Sequence, residues 1–125
     1  DLIRGLREKF HSSILLITHD LGIAAEMCDK VAVIYSGKIM EYADVTTIYE
    51  SPLSPYTRAL MESVPRIGVS GRLKVIPGFV PRLGTVPAGC KFHPRCIRAL
   101  EICRESEPTL EALREGHLVA CWNPA

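Results

Sequence analysis

Four cysteines near one end of the chain hold its densest chemistry: Cys90, Cys96, Cys103 and Cys121, in the order C-x5-C-x6-C-x17-C. Thiolates are soft anionic ligands, and four of them in so short a span point to a metal. Two disulfides would be the reading for an oxidising compartment. Structural zinc sites usually include a closely spaced cysteine pair, and the pairs here are wider. Iron–sulfur clusters are also held by four cysteines, and their size accepts ligands from well-separated loops. Spacing alone leaves zinc and a cluster both open. Lys91, Arg95 and Arg98 lie among the thiols and would offset the net negative charge of a cluster. His93 and His117 fall in the same stretch, but four thiolates already complete a site, so both read as surface or supporting groups. Cys28 stands apart in a helical pattern and reads as a small buried residue.

A second candidate for chemistry is His19. It follows Ile14, Leu15, Leu16 and Ile17, a continuous apolar run that suits a strand buried on both faces of a parallel sheet. Ligands gather at the carboxyl ends of such strands, where an imidazole is well placed to act. Asp20 is the expected N-cap of a helix with Leu21, Ala24, Ala25 and Cys28 along one face. A packed or capping histidine is the plainer alternative.

The elements that would position these groups can be read around them. Leu2, Ile3, Leu6 and Phe10 give Asp1 to Phe10 one apolar face, as in an amphipathic helix, and His11 follows at its end. Val31 to Tyr35 and Ile39 to Tyr42 flank Ser36-Gly37-Lys38 and predict a hairpin. Short helices are expected from Asp44 to Glu50, ended by Ser51-Pro52, and from Pro55 to Val64. Prolines and glycines between Val64 and Leu100 predict extended segments and turns, with a short helix over Glu111 to Arg114. That middle stretch is basic and the tail beyond it is acidic, so a boundary falls near Val64. At 125 residues, 47% hydrophobic and a formal charge of +1, the chain suffices for one modest core and is not of disordered type. No apolar run approaches the roughly 20 residues of a membrane span, and no signal-peptide pattern occurs, which predicts a cytosolic chain. The first residue is Asp1 rather than Met, as expected of a fragment.

The strings ITHDL and EM-x-DKVAVIY-x-GKI resemble the switch-histidine region of ATP-binding-cassette (ABC) ATPases. IYESPxSPYTRALMESVP resembles a subgroup of them, the subunits serving oligopeptide and dipeptide importers. GCxFHPRC, a later cysteine and VACW resemble the C-terminal extension of that subgroup. Glu41 to Asp44 depart from the glycine that many cassette ATPases carry after the hairpin strand.

The resemblance implies an α/β fold: residues 1–64 as the C-terminal part of an ABC-type nucleotide-binding domain, and 65–125 as a small irregular metal-stabilised extension. It implies contact of His19 with the ATP γ-phosphate and the attacking water at the interface of two nucleotide-bound subunits. It also implies a [4Fe-4S] cluster on Cys90, Cys96, Cys103 and Cys121, beside Trp122, with ATP and Mg in the intact parent. The implied partners are a second ATPase subunit, alike or paralogous, and integral-membrane permease subunits. Peptide would be met only indirectly, at the cytoplasmic face of the membrane. The sequence contains no G-x-x-x-x-G-K-[ST] loop, no signature motif and no strand bearing a catalytic glutamate, so this stretch alone is not expected to hydrolyse ATP. A zinc-stabilised nucleic-acid or protein-binding module is the alternative. Against it, Phe79 and Phe92 are the only aromatics interleaved with the basic residues, and no nucleic-acid partner is expected.

Overall fold

A computed structural model describes residues 5–6, 9–64, 75–82 and 84–125. Helix α1 (Leu21–Met27) begins where Asp20 Oδ1 accepts the Ile23 N–H at 3.0 Å, the expected cap. Strands β1 (Lys30–Tyr35) and β2 (Lys38–Asp44) form the expected hairpin, with Tyr35 opposite Lys38. Its two-residue turn places Ser36 at φ 47° and Gly37 at φ 79°, the backbone that suits the twist of a tight hairpin. Asp44 ends β2 and caps α2 (Val45–Glu50), accepting from the Thr47 N–H at 2.9 Å and the Thr47 hydroxyl at 2.6 Å. Pro55 opens α3 (Pro55–Glu62), where its missing N–H costs nothing.

The C-terminal half adds to the same sheet. A 3-10 turn (His93–Arg95) and helix α4 (Ile102–Glu105) precede β3 (Glu111–Arg114) and β4 (His117–Val119). The strand order is β1-β2-β4-β3, with every pairing antiparallel. Buried apolar residues form two clusters. One gathers Val33, Ala43, Ile48 and Met61; the other gathers Tyr35, Met40, Cys90, Phe92 and Cys103. Tyr56 packs against both, and it meets Tyr35 and Phe92 in an aromatic triangle with ring centroids 4.7 to 5.3 Å apart.

Two expectations are corrected. Ile14 to Ile17 form no strand, and Leu15 and Ile17 are each 90% exposed, because no described strand lies alongside to satisfy their backbone or cover their faces. Glu111 to Arg114 form strand β3 rather than a helix. Four residues barely nucleate a helix, whereas Gly116 at φ 69° lets the chain turn back onto β4. The expected first helix lies largely outside the described residues. The boundary near Val64 adjoins residues 65–74, which are also outside them.

Candidate functional site

The first three thiols are seated by one compact knot of backbone. Cys90 N–H donates to the Cys103 carbonyl at 2.8 Å, joining the loop before the 3-10 turn to helix α4. Cys96 closes the 3-10 turn, its N–H donating to the His93 carbonyl at 3.2 Å. Cys121 arrives from another direction. It lies just beyond β4, which is held on β2 through the Glu41–Val119 and Tyr42–Leu118 pairings and an Ala120 N–H donating to the Met40 carbonyl at 2.9 Å.

All four thiols are free. Burial pushes the pKa of Cys90 and Cys96 up, and that of Cys121 up to about 11. The charges of Cys90, Cys96 and Cys103 each add to the rise at Cys121, so the four groups feel one another. Backbone N–H groups oppose it: Phe92 and His93 toward Cys90, Arg98 toward Cys96, and Asn123 toward Cys121 at 3.3 Å. Leu100 N–H likewise donates to Cys103 Sγ at 3.4 Å. Every sulfur of the set thus faces at least one backbone donor, as sulfurs that hold a metal group do. Among the described residues, however, no three His, Cys, Asp or Glu side chains are gathered closely enough to hold a single metal ion.

Of the cations expected to offset such a group, Arg98 lowers the Cys96 pKa while its guanidinium donates to Asn123 Oδ1 at 3.1 Å and the Pro124 carbonyl at 3.1 Å. Lys91 instead pairs with Glu107 at 3.1 Å, and Arg95 donates to the Pro77 and Ile76 carbonyls and the Tyr35 hydroxyl. An open cleft of about 470 Å3, bordered by Lys38, Met40, Cys90, Lys91 and Glu107, gives solvent a path beside Cys90. Trp122 is partly exposed, its indole N–H donating to the Ser106 carbonyl at 2.9 Å.

The histidines are spoken for differently. His93 Nδ1 lies 2.9 Å from the Cys90 carbonyl, which fixes the turn and leaves it a supporting group. His117 is buried rather than at the surface, with Nε2 2.6 Å from Oε1 of the wholly buried Glu41. Sequence reasoning missed this pair; an acidic residue inside an otherwise apolar strand was the one available signal. His19 is exposed at a bend directly before α1, next to Asp20, whose N–H donates to Thr18 Oγ1 at 2.9 Å. Cys28, at the end of α1, is half-buried and apart from the four-thiol set.

The arrangement is thus a capped helix and hairpin after an exposed histidine, followed by a thiol-bearing tail that joins the same sheet. The chain belongs to the family described as the oligopeptide/dipeptide transporter C-terminal region, whose model matches residues 40–103. That match takes in Cys90, Cys96 and Cys103. Over 97% of its length the chain is 47% identical to a probable peptide ABC transporter ATP-binding protein of Sinorhizobium fredii, covering 37% of that protein. It is 44% identical over 98% of its length to the oligopeptide transport ATP-binding protein OppD of Salmonella typhimurium, covering 37% of it. It is 42% identical over 98% to the oligopeptide transport ATP-binding protein AppD of Bacillus subtilis, covering 38%. The chain therefore spans little more than a third of these relatives.

Proposed function

We propose that the chain is the C-terminal part of the ATP-hydrolysing subunit that energises oligopeptide or dipeptide import, and that Cys90, Cys96, Cys103 and Cys121 hold a [4Fe-4S] cluster. The observation that carries the first statement is the alignment of nearly the whole chain with peptide-transport ATP-binding proteins. In this reading the remainder of the subunit supplies the phosphate-binding loop, ATP and Mg, and His19 meets the γ-phosphate and orients the attacking water. Such hydrolysis depends on positioning and on stabilising charge, which an imidazole held at the start of a helix can do. Asp20 is occupied by the Ile23 N–H, so it anchors the bend that displays His19. A second ATPase subunit completes the site, membrane permease subunits take up the motion, and peptide is contacted only through them. The subunit then lies on the cytoplasmic membrane face; no described helix is long and apolar enough to cross a membrane.

For the cluster, the supporting observation is a backbone donor at each of four mutually interacting sulfurs. When bound, a cluster joins the four cysteine-bearing segments and adds its binding free energy to folding. The thiols must first shed their protons, and the N–H groups with Arg98 favour that step at Cys96.

Two experiments test the reading. In the full-length subunit, His19→Ala should abolish ATP turnover while leaving ATP binding intact; retained turnover removes His19 from the role. On protein purified without oxygen, about four irons and four sulfides per chain with a brown colour is the expected content. One zinc and no colour would replace the cluster with a zinc site, and a salt titration of nucleic-acid binding would then decide whether the basic stretch binds phosphates.

A further inference from the structure

Gly89 immediately precedes the first thiol, and it is the most tightly enclosed of the described glycines. Its φ is 64°, in the region that residues with side chains rarely occupy. A Cβ at this position would lie 2.4 Å from the Cys103 carbonyl oxygen, 2.8 Å from the Arg104 carbonyl carbon and 2.9 Å from its oxygen. All three are backbone atoms, so no rotamer change relieves the collision. The next N–H along the chain, that of Cys90, donates to the same Cys103 oxygen at 2.8 Å. The loop carrying Cys90 and the helix carrying Cys103 therefore meet backbone to backbone, with only a hydrogen atom between them.

We propose that Gly89 is a positioning residue of the four-thiol site, setting the separation of Cys90 and Cys103 at which both can bind one shared metal group. The inference rests on the metal-binding reading above. A methyl at residue 89 would push the Cys90 loop off α4, break the hydrogen bond from Cys90 N–H to the Cys103 carbonyl and displace one sulfur relative to the other three. Gly84 at φ 89° and Gly116 at φ 69° supply the controls. Each has the same unusual backbone, but a Cβ there meets nothing within 4 Å.

The test uses the full-length subunit purified without oxygen, as wild type, Gly89→Ala, Gly89→Asn, Gly84→Ala and Gly116→Ala. Asparagine tolerates the left-handed backbone yet keeps the colliding Cβ. Both changes at Gly89 should lose most of the iron and sulfide, and any cluster that remains should give a shifted electron paramagnetic resonance spectrum. Both controls should keep wild-type content and spectrum. Nucleotide binding, retained in every variant, would report an intact parent fold. A second measurement strips the metal and titrates with phenylarsine oxide, which bridges paired thiols. Wild type and controls should bind it tightly and the Gly89 variants weakly. Wild-type metal content and spectrum in Gly89→Ala, or rescue by Gly89→Asn, would overturn the inference. If wild type carries no metal, the cluster reading fails by itself; equal arsenical binding by Gly89→Ala would then overturn the positioning role as well, and weaker binding would uphold it.

Discussion

Glu41 is fully enclosed, so its carboxylate must find every partner inside the protein. Oε1 accepts the Leu53 N–H at 2.6 Å and faces His117 Nε2 at 2.6 Å, while Oε2 accepts the Ser54 N–H at 3.1 Å. One side chain thereby ties β2 to the segment before α3 and to β4. Glu41→Leu leaves His117 and two N–H groups buried without it, and should cost about 3–5 kcal/mol. Glu41→Gln keeps the shape but turns an amide N–H toward a donor, and should cost about 1–3 kcal/mol. Urea unfolding measures both; a loss for Glu41→Leu no larger than that for Glu41→Gln would contradict the account. The thiols make a different prediction. Burial raises the pKa of Cys90, Cys96 and Cys121 above the unfolded value, so the folded metal-free protein binds those protons more tightly than the unfolded chain does. That contribution is complete below the ordinary thiol pKa and is lost as pH climbs toward the value of about 11 at Cys121. Melting of the metal-free protein across the alkaline range should show falling stability, and Cys121→Ser should flatten the fall.

At the scale of elements, short helices depend on their caps, because six or eight residues cannot sustain a helix by propensity. Asp44 both ends β2 and caps α2, and its bonds to the Thr47 hydroxyl and N–H hold its carboxyl below the usual value. A carboxyl depressed in the folded state stabilises above its unfolded pKa and loses that effect as pH falls through the folded one. Asp44→Asn should therefore lower the melting temperature at neutral pH and converge with wild type in strong acid; a constant gap across pH would exclude the charge as the cause. Asp20 was legible as a cap, Asp44 as the start of a short helix, and Ser36-Gly37 as a turn, since each is specified by two to four adjacent residues. The run Ile14 to Ile17 was not, because a strand exists only with its ladder partner. Strand β3 was misread as a helix for the same reason, its identity resting on pairing with β4. The Glu41–His117 pair joins residues 76 positions apart, which no local pattern signals. The four cysteines were visible by spacing, but the N–H groups aimed at their sulfurs emerge only once the loops are folded.

For the whole molecule, the division of the interior into two clusters decides how damage spreads. Val33, Ala43, Ile48 and Met61 are all contributed by the hairpin and helices α2 and α3. The other cluster, two of whose five buried residues are cysteines, draws Cys90, Phe92 and Cys103 from the tail onto Tyr35 and Met40 of the hairpin. Apolar burial in that tail is thin, with Val75, Phe79 and Ile97 largely exposed. If metal binding supplies the missing folding free energy, losing one ligand should release the tail and spare the hairpin. Cys96→Ser in the full-length subunit should then open residues 84–125 to limited proteolysis while β1, β2, α2 and α3 stay protected. Iron chelation of the wild type should reproduce the same cleavage pattern. Only part of the tail would be held otherwise, by β4 on β2, the buried Glu41–His117 pair and the Ala125 N–H donating to the Leu53 carbonyl at 2.8 Å. Cuts should accordingly begin between β2 and β4 in sequence, near the cysteine loops, and reach the last strand late. Equal protease resistance of mutant and wild type would mean that packing of Tyr56 and Phe92 on Tyr35 holds the tail without any metal.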